Sequence, residues 1–227
     1  MLQALKVHRR PDDSFIPRRR IAIGDIHGQF LLMKDLIENK IRFNPDKDVL
    51  VFMGDYIDRG ANAQDEMDTL NYLINLASRA PGKVVLLRGN HEQMAIDAIS
   101  APTNDTLELW AMNGCKDKIY WTFADMMQLL HFCRSLPHSY ETEKHLFVHA
   151  GALDNQPVKE QDKHMLLWER EVNQYGYMGK TLVVGHTPRK SILVSDKVIN
   201  VDTGAFRTGV LSAYDTLNGT TFVSSRS

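Results

Sequence analysis

The chain repeats one arrangement three times: a short unbroken apolar run, a polar loop rich in glycine, acids and histidine, then a stretch with helical spacing. Ile21-Ala22-Ile23 leads into Gly24-Asp25-Ile26-His27-Gly28, followed by Phe30, Met33, Ile37 and Ile41 on one helical face. Val49 to Met53 leads into Gly54-Asp55-Tyr56-Ile57-Asp58-Arg59-Gly60, followed by Met67, Leu70, Leu73, Ile74 and Ala77 at the same spacing. Val84 to Leu87 leads into Arg88-Gly89-Asn90-His91-Glu92 and a helix-compatible stretch from Gln93 to Ile99. An apolar run without polar alternation is a strand covered on both faces, so these units predict an α/β fold with a largely parallel sheet. Ligands of such sheets sit beyond the carboxyl edge, where the three polar loops converge.

The middle, Thr103 to Leu136, is the least informative part of the chain. It carries Trp110, Tyr120, Trp121 and Phe123, and one helix is expected through Met126, Leu129 and Leu130. After Pro137 the pattern turns to short strands: His145 to Val148 before His149-Ala150-Gly151, Thr181 to Val184 before Gly185-His186-Thr187-Pro188, and Lys197 to Val201 before Asp202-Thr203-Gly204. Val210 to Tyr214 and Thr220 to Val223 follow, around the turn signal Asn218-Gly219. These late strands are expected to form a second sheet packed on the first.

At 227 residues, with 43% hydrophobic and 24% charged residues, the chain suits one globular domain spanning 1–227. The basic stretch ending in Arg18-Arg19-Arg20 is broken by Pro11, Asp12, Asp13 and Pro17, which suits a solvated N-terminal arm over residues 1–19. A net charge of -1 argues against general affinity for nucleic acid, which needs a basic surface. No apolar stretch approaches the roughly 20 residues that span a bilayer, and two cysteines, Cys115 and Cys133, predict no disulfide framework. A cytoplasmic protein that binds neither nucleic acid nor membrane is the expectation.

The polar residues just beyond strands are Asp25, His27, Asp55, Asp58, Arg59, Arg88, Asn90, His91, His149 and His186, which include four of the nine histidines. Carboxylate, imidazole and amide oxygen without thiolate suit Mn²⁺, Fe or Zn²⁺ and disfavour a structural zinc site. A carboxylate such as Asp55 can bridge two ions about 3.5–4 Å apart. Gly24, Gly54, Gly89, Gly151 and Gly185 flank these residues, where sharp turns need positive φ or close backbone approach. Any one histidine or Gly-Asp pair reads as a core residue or a plain turn; five such motifs in one chain do not.

The motifs GDIHG, GDYIDRG, GNHE, HAG and GHTP, in this order from about Ile21 to Thr208, resemble the signature of the phosphoprotein phosphatase family of metallophosphoesterases, in particular its compact bacterial and phage members. The resemblance implies a β-sandwich of two mixed sheets flanked by helices. It implies that Asp25 and His27 ligate one divalent metal ion, that Asp55 bridges, and that Asn90, His149 and His186 ligate a second, with Mn²⁺ as the expected ion and Fe or Zn²⁺ as alternatives. It casts Arg59 and Arg88 as a phosphate clamp, with Arg170 of the stretch Leu167 to Glu171 as a further phosphate contact. His91 becomes the general acid, oriented by Asp58. The implied reaction is single-step hydrolysis of a phosphomonoester by metal-activated hydroxide attacking in line, on serine and threonine in phosphoproteins or phosphopeptides, with phosphotyrosine tolerated.

Three alternatives are set against this. Metallophosphodiesterases usually end in Gly-His-x-His, where this chain has Pro188. Dinucleoside tetraphosphate hydrolases are nearer relatives whose second motif typically lacks an acid at the position of Asp58. A binding module that kept the fold and lost the chemistry would show a damaged ligand set, and none is visible. Asp202-Thr203-Gly204-Ala205 and the short C-terminus depart from the eukaryotic branch, which puts regulation of the eukaryotic kind in doubt.

Overall fold

The computed structural model describes residues 15–115, 121–171 and 176–226. Strands β1 (Arg19–Ile23), β2 (Asp48–Phe52) and β3 (Val84–Leu86) lie parallel, side by side, as the repeated units predict. Helices α1 (Phe30–Asp35), α2 (Ala63–Arg79) and α3 (Asn90–Ser100) follow them. Beyond Asp35 the chain continues as a π-helical segment, Leu36–Ile41, whose wider turn keeps Met33, Ile37 and Ile41 on one buried face.

Two helices are found among the described residues of the uninformative middle. One, α5 (Phe123–Ser135), is the helix expected through Met126, Leu129 and Leu130. The other, α4 (Asn104–Met112), was not expected; Thr103 caps it by accepting from the Thr106 N–H. Tyr120 lies outside the described residues.

The second sheet is built from β4 (Ser139–Glu141), β5 (His145–Val148), β6 (Thr181–Val184), β7 (Leu193–Val194) and β8 (Val198–Asn200), in the order β4-β5-β6-β8-β7. The late strands do not all join it. β9 (Val210–Asp215) and β10 (Thr221–Ser225) form the expected hairpin but extend the first sheet, in the order β10-β9-β1-β2-β3. β9 pairs antiparallel with β1, Ile21 opposite Asp215, and so covers an edge of β1 that would otherwise leave backbone groups unpaired. Both sheets are therefore mixed. The chain closes the fold with α6 (Lys163–Trp168) and α7 (Ala205–Thr208).

Period-two alternation explains why the early strands are apolar throughout. Ala22, Val49, Val51, Met53, Val85 and Leu87 face Phe147, Val183, Ile199 and Val201 between the sheets. Ile21, Ile23, Leu50, Phe52, Val84 and Leu86 point the other way, into a core shared with α1 to α5. The outer face of the second sheet packs Leu146, Val148, Leu182 and Val184 against Val158 and Leu166. This is a sandwich of two mixed sheets flanked by helices, as the resemblance implied.

Of the expected N-terminal arm, residues 1–14 lie outside the described residues, and its other end requires correction: Arg19 is the first strand residue of β1. Arg19 is held because its fork meets the buried Asp48 carboxylate, with Nε at 2.9 Å and Nη2 at 2.6 Å. Asp48 also accepts from the Asn44 N–H at 2.9 Å, tying β1 to the loop entering β2. Replacing Asp48 by alanine strips all these donors of their acceptor, and urea unfolding at fixed metal concentration should show a loss of about 2–3 kcal/mol. A loss below about 0.5 kcal/mol, the level of an ordinary surface substitution, would contradict this role.

Candidate dinuclear metal site

The polar ends of β1, β2, β3, β5 and β6 meet at one edge of the sandwich. Asp25, His27, Asp55, Asp58, Asn90, His91, His149 and His186 are all buried there. Seven non-glycine residues among those described have φ in the left-handed region; four of them, His27, Asp55, Asp58 and His186, belong to this set, and a fifth, Arg59, follows Asp58 directly. Such conformations cost about 1–2 kcal/mol each, and their concentration here marks a segment held by its surroundings rather than by local preference. Glycine is required for two reasons. Gly54 has φ of 108°, and a Cβ on Gly89 would lie 2.1 Å from Asp55 Oδ1.

Asp55 is the hub. His27 Nε2 lies 3.5 Å and His91 Nε2 3.9 Å from its Oδ2, while His149 Nε2 lies 3.4 Å from its Oδ1. His27, Asp55 and His91 form one group able to hold a cation, and Asp55, His149 and His186 form another, so the carboxylate belongs to both. Asn90 Oδ1 joins the second group, 2.9 Å from His149 Nε2 and 3.1 Å from His186 Nδ1.

Backbone carbonyls aim two of the imidazoles. The Nδ1–H of His27 donates to Ile57 O at 3.0 Å and that of His149 to Met53 O at 2.8 Å, which leaves each Nε2 lone pair facing the cluster. Burial holds both rings neutral: His27 is pushed down to about 3 and His149 is also lowered. A neutral imidazole with its lone pair inward is the form that binds metal. Burial and the neighbouring His149 push His186 down to about 3 as well.

The carboxyls carry opposite shifts. Burial alone would raise Asp55, but His149, His91 and His27 around it outweigh that and hold it below the ordinary range. Asp25 is raised well above its usual value by burial and by the charges of Asp202 and Asp55. Its Oδ2 accepts the His186 N–H at 2.9 Å, and its buried Oδ1 has no hydrogen-bond partner. An unmatched carboxylate oxygen beside a carboxylate and inward imidazoles is the donor set a divalent cation satisfies, so these residues fit the implied ions.

His91 belongs to a different pairing. Its Nδ1 lies 2.7 Å from Asp58 Oδ2, and its backbone N–H donates to Asp55 Oδ1 at 3.1 Å. Burial disfavours its charged form, yet the charge of Asp55 and the hydrogen bond to Asp58 prevail and raise it. Arg59 reaches the cluster, its Nη1 3.0 Å from His27 Nε2, while Nε donates to Asn113 O and the guanidinium stacks on Phe206. Arg88 is placed differently: its Nη1 donates to Gln93 Oε1 at 3.0 Å and its Nη2 to Arg134 O at 3.1 Å, toward α3 and α5. Arg170 is exposed at the rim, near enough for its charge to lower His149 and His186.

Four further residues belong to the site. Glu92 and Asp202 sit inside motifs that mark strand ends, where their neighbours claimed the attention. Asp202 is buried and raised to about 6 by burial, with Oδ2 unmatched beside the cluster. Trp110 donates from Nε1 to Asp58 Oδ2 at 2.9 Å, and Phe206 meets His27 edge-on. No spacing rule singles out either aromatic.

Glu92 anchors the two central loops. Fully buried on the first turn of α3, it accepts from the Gly89 and Asp55 N–H groups through Oε2, both at 2.9 Å, and from the Tyr56 N–H through Oε1 at 2.8 Å. The bond to Gly89 is the backward half of a capping box. Burial and Asp55 push this acid up to about 7. In Glu92→Gln an amide NH₂ confronts backbone donors, so stability should fall by about 2 kcal/mol or more and Mn²⁺ affinity by about 10- to 100-fold. Thermal unfolding and calorimetric titration check these; unchanged Mn²⁺ affinity would show that Glu92 does not place Asp55.

Residues 18–208 match the family model described as calcineurin-like phosphoesterase. The serine/threonine-protein phosphatase 1 of Salmonella typhimurium strain LT2 is 37% identical over 204 residues, 84% of this chain and 88% of that protein. Among solved structures, a putative diadenosine tetraphosphatase superposes with a TM-score of 0.67 at 22% identity, covering 95% of each chain. A cold-active protein tyrosine phosphatase superposes with a TM-score of 0.63 at 20% identity, over 95% of this chain and 79% of that one. These structural likenesses are likenesses of fold. With the family model spanning the site, the second sheet and strands β1 to β3, the chain belongs to the calcineurin-like phosphoesterases.

Proposed function

We propose that this phosphoesterase is a metal-dependent phosphomonoesterase acting on phosphoserine and phosphothreonine in proteins. The observation that carries the reading is the buried Asp58–His91 pair beside Asp55, which provides a proton donor at the edge of the metal cluster. The Salmonella relative's activity on serine and threonine, as its name states, points the same way. Asp25 and His27 would hold one cation, and Asn90, His149 and His186 a second, with Asp55 placed to serve both and Mn²⁺ the expected ion. A cytoplasmic setting agrees with a buried Cys133 and a half-buried Cys115, with no disulfide among the described residues. No helix of the described residues is long and apolar enough to cross a membrane.

When bound, the cations supply a water of lowered pKa and offset the charge of the phosphoryl oxygens. Arg59, already at the cluster, turns its fork from His27 to a phosphoryl oxygen, a use suited to a planar guanidinium. Arg88 completes the clamp by exchanging its bonds to Gln93 and Arg134, and Arg170 approaches from the rim. Because Nδ1 of His91 is committed to Asp58, its proton for the leaving oxygen is on Nε2. No side-chain nucleophile is needed, so no phosphoenzyme forms. A terminal monoester presents a dianion to the clamp, whereas an internal diester presents one charge and an extra substituent to be accommodated.

Comparing kcat/KM on phosphoserine and phosphothreonine peptides with diadenosine tetraphosphate and bis-p-nitrophenyl phosphate, at equal Mn²⁺, tests the substrate class. The peptides should lead by tenfold or more, about 1.4 kcal/mol of transition-state preference. A tenfold lead for the dinucleotide or the diester would instead assign the chain to that class. His91→Asn tests the acid: turnover of an alkyl phosphate should fall by about 10²-fold or more relative to p-nitrophenyl phosphate, whose phenolate leaves unaided. Equal losses on both would give His91 a positioning role.

A further inference from the structure

Asp58 does not face His91 alone. Its Oδ2 accepts the Nδ1–H of His91 at 2.7 Å and the Nε1–H of Trp110 at 2.9 Å, so one carboxylate oxygen is held from two sides. Trp110 is buried, while Leu107, Leu109 and Met112 on the same helix are exposed. The indole is thus the inward anchor of α4. The chain leaving α4 also fixes the clamp, since Gly114 O accepts the Arg59 N–H and Asn113 O accepts Arg59 Nε.

We propose that Trp110 is a positioning residue that acts through Asp58 on the proton donor His91; the inference rests on reading His91 as the general acid. An indole N–H donates and cannot accept, so it competes for no proton in the relay. The indole and the imidazole reach the same oxygen of Asp58, so the two rings are held through one atom. Two donors on one oxygen also fix the carboxylate's rotation, and with it the plane of the imidazole. A merely structural tryptophan would change the amount of folded protein or the activity on all substrates alike. A positioning tryptophan changes how strongly the rate depends on the leaving group.

The test is Trp110→Phe, which keeps an aromatic ring and removes the N–H, read as the ratio of kcat/KM for a phosphoserine peptide to that for p-nitrophenyl phosphate. Both substrates report on the same folded molecules, so the ratio is independent of how much of the variant folds. The ratio should fall by about tenfold or more, the scale of one hydrogen bond to a charged group. In the Asp58→Asn background Trp110→Phe should lower it no further, because contacting residues that act in series are not additive. Leu107→Ala, an exposed change on the same helix, should leave it unaltered. An unchanged ratio in Trp110→Phe, a further fall in the Asp58→Asn background, or an equal fall in Leu107→Ala would each overturn the proposal. If His91→Asn itself leaves the ratio unchanged, the acid reading fails and this inference fails with it; if His91→Asn moves the ratio and Trp110→Phe does not, only this inference fails.

Discussion

The carboxyl groups of Asp25, Asp55, Glu92 and Asp202 are among those buried around one cluster of imidazoles, and a charge taken out of water must find partners. Each solves the problem differently. Glu92 spends its oxygens on three backbone N–H groups. Asp55 is ringed by His27, His91 and His149. Asp25 and Asp202 each keep one oxygen unmatched, and a divalent cation would satisfy that of Asp25. The glycine at position 89 follows from the same constraint, because a side chain there would occupy the volume of the Asp55 carboxylate. So do the left-handed turns at His27, Asp55, Asp58, Arg59 and His186, whose backbone cost is met by the interactions they permit.

The sandwich makes this concentration of charge feasible. The parallel strands of the two sheets deliver their carboxyl ends to one edge, so five loops distant in sequence supply the residues of the cluster while apolar layers pack behind them. Low local polarity strengthens every interaction at the cluster, including the Asp58–His91 bond on which the proposed proton donation rests. α4 then joins the two halves of the chemistry, holding Asp58 through Trp110 and Arg59 through Asn113 and Gly114.

What the sequence disclosed and what it concealed divide along physical lines. The early strands were legible because Ile21 to Ile23 and Val49 to Met53 must be apolar on both faces, and the convergence of their polar loops because loops beyond parallel strands share one edge. The sheet that β9 and β10 join was not legible: a hairpin's own pattern is satisfied by either sheet, and its partner is set by the open edge of β1. Trp110 was hidden for a similar reason. An aromatic residue on a helix reads as core, and Trp110 is packed in the core; only the direction of its N–H distinguishes it. Arg88 was legible as a strand-end arginine, but its commitment to Gln93 and Arg134 depends on side-chain geometry that spacing does not encode.

The central claim is that Asp55 joins two cations in one centre, and electron paramagnetic resonance of the Mn²⁺-titrated protein tests it most directly. Two ions per chain at saturation, with the exchange-coupled spectrum of a bridged pair, is the predicted result. Saturation at one ion, or two ions giving only uncoupled mononuclear spectra, would contradict it.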